Sequence, residues 1–138
     1  MINPFADFLA MRRNIVAYSR IMAVWGAVLH IPPLLGALFY IQTIEGAVVA
    51  GAVVLSLLVA GQINKRQPMS KLLSICHVFF LPAIVILSLA MLDLPDSLIF
   101  NIWAIYSLVV MAASMVMDIA NLWQYYFSNN RHFIKDDI

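Results

Sequence analysis

The sequence predicts an all-α integral membrane protein: an antiparallel up-down four-helix transmembrane bundle with both termini in the cytoplasm. Three observations carry that expectation. Of 138 residues, 64% are hydrophobic and only 11% charged, where soluble domains carry roughly 25% charged residues; the mean hydropathy is +0.93. Residues 21–44, 46–64, 72–92 and 97–117 contain no Lys, Arg, Asp or Glu, and a helix needs about 20 apolar residues to cross hydrocarbon. All eight basic residues fall on one side of the spans so defined.

Taken in order, residues 1–16 place Phe5, Phe8, Leu9, Arg12 and Val16 near one helical face. That is the pattern of an interfacial helix on the membrane surface, with a frayed terminus as the plainer alternative. Span 1 covers about residues 18–41 and is too long for a signal-peptide core, with no A-x-A site directly following it. Pro32 and Pro33 remove the amide donors that would bond the carbonyls of Val28 and Leu29, so span 1 is expected to kink there. Span 2 covers about residues 44–63 behind a Thr43 N-cap, and span 3 about residues 71–92. Span 4 covers about residues 97–127 behind Asp96, leaving residues 128–138 as a cytoplasmic tail. The links are short, which makes neighbouring helices antiparallel.

Arg12, Arg13, Arg20, Lys65, Arg66, Lys71, Arg131 and Lys135 set the orientation, with Glu45, Asp93 and Asp96 on the opposite side. The positive-inside rule puts the basic side in the cytoplasm. The expected location is the cell membrane, the inner membrane in a Gram-negative cell. Trp25, Tyr40 and the Trp123-Tyr125-Tyr126 group read as interfacial anchors.

Polar residues within the spans must face protein or water, not lipid. Ser19, Ala23, Gly26 and His30 share a face of span 1, and Gly46-Ala47 and Ala50-Gly51 give span 2 two overlapping small-x-x-x-small pairs. At α-helical periodicity Ser70, Ser74, His77 and Ser88 share a face of span 3. Span 4 carries a stripe of Ser107, Ser114, Asp118, Asn121 and Tyr125. His30, His77, Asp118, Asn121 and Ser114 therefore form the candidate polar core, for an ion or a proton, in the cytoplasmic half. Asp118 is expected to accept a hydrogen bond from His77 or Asn121. The plainer alternative is that these groups only fix helix register.

Several classes are excluded or weakened. The charge balance, +1 overall, argues against nucleic acid as a partner. A single cysteine, Cys76, cannot form an intrachain disulfide. No P-loop, G-x-S-x-G, H-E-x-x-H or dinucleotide fingerprint occurs, no nucleophile–base pair is evident, and no lysine lies within a span to hold retinal. The expected function is a non-catalytic accessory or scaffold subunit, or an oligomeric transport-type bundle. A chain of ionisable groups running from Glu45, Asp93 and Asp96 through His30 to His77 and Asp118 would serve the transport reading. The expected partners are the lipid bilayer and further copies or other membrane subunits. The alternative is a redox subunit in which His30 and His77 bind haem b or a metal. Met22, Met111, Met115 and Met117 raise copper, but methionine commonly fills gaps in apolar helices.

Overall fold

A computed structural model describes residues 3–92 and 97–133, which are helical without strands. The helices are α1 (Pro4–Tyr18), α2 (Arg20–Phe39), α3 (Ile44–Arg66), a 3₁₀ segment (Lys71–Phe79) that continues into α4 (Phe80–Ala90), and α5 (Leu98–Phe127). Four helical stretches, with the 3₁₀ segment and α4 forming one, are long and apolar enough to cross a membrane.

Short polar side chains start each of the long helices. The Asn3 side chain accepts from the Ala6 amide at 3.1 Å, with Pro4 following at the first helical position. Ser19 ends α1 and caps α2, accepting from the Met22 amide at 3.2 Å. Thr43 caps α3 at 3.1 Å, as its sequence position implies. Ser97 caps α5, accepting from the Phe100 amide at 3.3 Å. Asp93 and Asp96, the latter expected to cap this helix, lie outside the described residues, as does Lys135.

The outer surface is apolar and the interior holds the polar groups. Val24, Leu35, Val85, Ile102, Ile105 and Val109 are exposed, while Ser56, Ser74, Ser107, Ser114 and Asp118 are buried. Lipid as solvent accounts for that inversion, because a soluble helix turns its polar face outward. These helices suggest a membrane-embedded protein whose outer face contacts lipid.

One end of the bundle is closed by an apolar cluster containing Leu29, Ala37, Val53, Phe80, Leu87 and Trp103. α2 passes through Pro32 and Pro33 without a break. The Val28 carbonyl, deprived of its helical donor, accepts the Tyr106 hydroxyl at 2.9 Å. The Trp103 indole N–H donates to the Pro33 carbonyl at 3.1 Å. Gly36 is required beneath Trp103, since any Cβ there would enter the indole ring. Of the small pairs on α3, Gly46 and Ala50 are buried within the chain, whereas Ala47 and Gly51 face outward.

At the other end α1 docks on α3. Phe8, Met11 and Ile15 face a cluster with Ala60, Leu73 and Cys76. Asp7 accepts from the Gln62 amide at 2.9 Å and pairs with Lys65 at 3.0 Å. The predicted interfacial face therefore loses Phe8, which packs against that cluster with its backbone over Gly61, and keeps Phe5, Leu9, Arg12 and Val16 outside. Residues 128–133 fold back onto the turn before the 3₁₀ segment. There the Lys71 amide donates to the Arg131 carbonyl at 2.9 Å and the Phe133 amide to the Met69 carbonyl at 3.1 Å.

Candidate functional site

The 3₁₀ segment determines which side chains meet. A 3₁₀ helix turns once in about three residues, so residues three apart lie in one row. Lys71, Ser74 and His77 form such a row, facing Gln124, Asn121 and Asp118 of α5. The Lys71 ammonium donates to the Gln124 side-chain carbonyl. The Asn121 amide donates to Ser74 Oγ at 3.1 Å, and His77 Nδ1 donates to Asp118 Oδ2 at 2.7 Å. Ser114 Oγ lies 3.2 Å from both Asp118 Oδ2 and His77 Nδ1, donating to the carboxylate.

This winding also corrects the expected face of span 3. From Ser70 to Phe79 a winding of about 120° rather than about 100° per residue adds about half a turn, of which about 100° falls after Ser74 and about 40° after His77. Ser88 is exposed, and Ser70 caps the 3₁₀ segment. On α5, Ser107, Ser114 and Asp118 are buried. Tyr125 leaves that row to donate to the Gln67 side chain at 3.1 Å.

The pairing has an energetic cause. The side chains of Asp118 and His77 are 8% and 15% exposed. An ionised carboxylate in an apolar setting is tolerated only when paired and hydrogen-bonded. His77 and Ser114 supply those partners to Asp118, while Asn121 serves Ser74.

His30 joins the group from α2. Its Nδ1 donates to the Gly26 carbonyl at 2.8 Å, and its ring centroid is 5.5 Å from that of His77. Both imidazoles lie against Phe80, at 4.8 Å for His77 and 5.9 Å for His30. His30 Nε2 is buried and meets no protein partner among the described residues.

Beside these groups is a cavity of about 170 Å³. His30, Ser74, His77, Ser114, Asp118 and Asn121 form its polar wall, and Met22, Trp25, Leu57 and Met117 are among its apolar ones. The space beside Gly26 is open: a Cβ there would touch nothing. Towards the opposite end, Leu29, Phe80, Ala37 and Trp103 pack together. The drawn series from Glu45 through His30 is thus interrupted by apolar side chains, and its Asp93 and Asp96 lie outside the described residues.

His30 and His77, the pair considered for haem b or a metal, have ring centroids 5.5 Å apart with planes at 40°, and both contact Phe80. Among the described residues, no group of three His, Cys, Asp or Glu side chains gathers as a metal site. Met22 and Met117 are cavity walls and Met111 lies in the apolar cluster.

Sequence reasoning overlooked three contributors. Lys71 is 5% exposed and extends the polar row, although its position suggested only a flanking charge. Trp103 and Tyr106 serve carbonyls beside the prolines; the sole signal was two amphipathic aromatics three apart on α5. Comparison with known proteins adds no assignment: no protein-family model matches the chain, and no curated protein or solved structure matches it significantly.

Proposed function

We propose that the chain is a non-catalytic accessory subunit of the cell membrane that holds a small ligand in a one-sided pocket. It crosses the membrane as an antiparallel up-down bundle bent at Pro32-Pro33, with the pocket in its cytoplasmic half and both termini in the cytoplasm. The observation that carries this reading is the cavity beside His30 and the His77–Asp118–Ser114 group. A pocket with apolar walls and a few convergent polar atoms is the usual form of a small-molecule site. The packed Leu29–Trp103 region supports binding from one side over passage through a single chain. Transport would require further copies to supply a path. The positive-inside rule supports the orientation.

Cysteine labelling tests the pocket. In a Cys76→Ala background, Gly26→Cys should react with a small methanethiosulfonate reagent applied to the cytoplasmic face. Ala104→Cys, at a fully buried position in the closed end, should not. Equal inertness of the two sites would overturn the pocket, and reaction of both from the opposite face would overturn its one-sidedness.

A further inference from the structure

The geometry points to a small aromatic alcohol, a single phenol-class ring, as the occupant of this cavity. The inference rests on the pocket reading above and adds the chemistry of the ligand. Its size comes from the volume, about 170 Å³. A dry engineered cavity of about 150 Å³ accommodates benzene, so one six-membered ring with a small substituent is the matching scale.

The aromatic character comes from the walls. Met11 of α1, Met22 of α2 and Met117 of α5 border the space together with Trp25. Thioethers from three helices give an adaptable surface that makes favourable sulfur contacts with aromatic rings.

The hydroxyl comes from His30. Because Nδ1–H donates to the Gly26 carbonyl, the neutral ring presents a lone pair at Nε2. That nitrogen is buried without a protein partner. Its complement is a donor, and an O–H on the ring supplies one. Asp118 Oδ2 is already served by His77 and Ser114, whereas His30 Nε2 is an acceptor with no protein partner, and it is the atom assigned to read the hydroxyl. The same ring chemistry has two sources: a free phenol from the aqueous phase, or the head group of a membrane-dissolved alkylphenol or quinol.

The test uses the full chain in phosphatidylcholine nanodiscs with two near-isosteric probes, 4-fluorophenol and 4-fluorotoluene, followed by ¹⁹F NMR. Gly26→Leu, whose added side chain occupies the cavity, is the reference for partition into lipid. The native chain should bind the phenol about tenfold more tightly than the toluene, the scale of one hydrogen bond in a buried site. Gly26→Leu should bind neither, and His30→Leu should bind both alike. Equal affinity of the native chain for both probes overturns the role of His30. Binding of neither, while Gly26→Cys remains reactive, overturns the phenol assignment and leaves the pocket standing. 4-Nonylphenol separates the sources: displacement of 4-fluorophenol assigns the membrane-borne head group, and failure to displace it assigns the free phenol.

Discussion

The two ends of the bundle fill their interiors by different means, and two glycines of α2 mark the contrast. Gly36 lies under Trp103, where a single added carbon has no room. Gly26 borders open space. The Gly36 end is closed by aromatic and aliphatic packing, with Trp103 and Tyr106 serving carbonyls beside the prolines. The Gly26 end is held by paired polar groups between the 3₁₀ segment and α5, and retains a cavity beside them. Lipid tails are as apolar as leucine, so burial alone gives helices little reason to associate in a bilayer. Close fit supplies the association at one end and hydrogen-bonded pairs supply it at the other. The cavity described above lies at the second.

The largest expected effect strikes the polar end. His77→Leu leaves the Asp118 carboxylate without its nearest partner, and stability in detergent should fall by about 3–5 kcal/mol. The double variant His77→Leu/Asp118→Leu should recover most of that loss, because no unpaired charge remains. Chemical denaturation of both variants measures the difference; a double variant as unstable as the single one would show that the pair is not the cause.

Next comes the closed end. Gly36→Leu should cost about 1–3 kcal/mol by overpacking, while Gly26→Leu should be neutral or stabilising by up to about 1 kcal/mol through helix propensity. Thermal unfolding of the two variants side by side reads the contrast directly, and similar losses at both sites would erase it. Tyr106→Phe should have a smaller effect, about 0.5–1.5 kcal/mol, from the hydroxyl lost at the Val28 carbonyl. Binding of 4-fluorophenol and labelling of Gly26→Cys should be unaffected by that change, since the two sites share no side chain.

The smallest effect concerns the docking of α1. The Gln62 amide and the Lys65 ammonium hold the Asp7 carboxyl below the usual carboxylate range. A lowered folded-state value means that the contribution to docking is present above the unfolded carboxylate range and fades as pH falls through the folded value. The protection of α1 amides, exchange taken relative to its intrinsic rate at each pH, should fall over that acidic window. Asp7→Asn should show faster exchange at neutral pH and a flatter profile.

The hydrophobic runs and their bounding charges were enough to place four spans, because a bilayer demands about 20 apolar residues per crossing. The cost of a lone intramembrane carboxylate made Asp118 a candidate for pairing, and His77 and Asn121 its candidate partners. Linear spacing did not reveal which of the two it meets. Asn121 goes to Ser74, and the row of Lys71, Ser74 and His77 exists only because Lys71–Phe79 winds as a 3₁₀ helix. An α-helical wheel carried across the whole segment accumulates about half a turn of error, which separates Ser88 from Ser70; between Ser74 and Ser88 the error is about 100°.

By itself, then, the amino-acid order determined the four stretches long and apolar enough to cross a membrane and the polar residues that lipid would reject. These follow from transfer free energies, which are local to each segment. Only tertiary structure decided that Phe8 turns inward, that aromatics of α5 serve the proline-containing stretch of α2, and that His30 and His77 stand side by side next to a cavity. Those outcomes depend on helix winding and on which surfaces meet, and both are settled between segments.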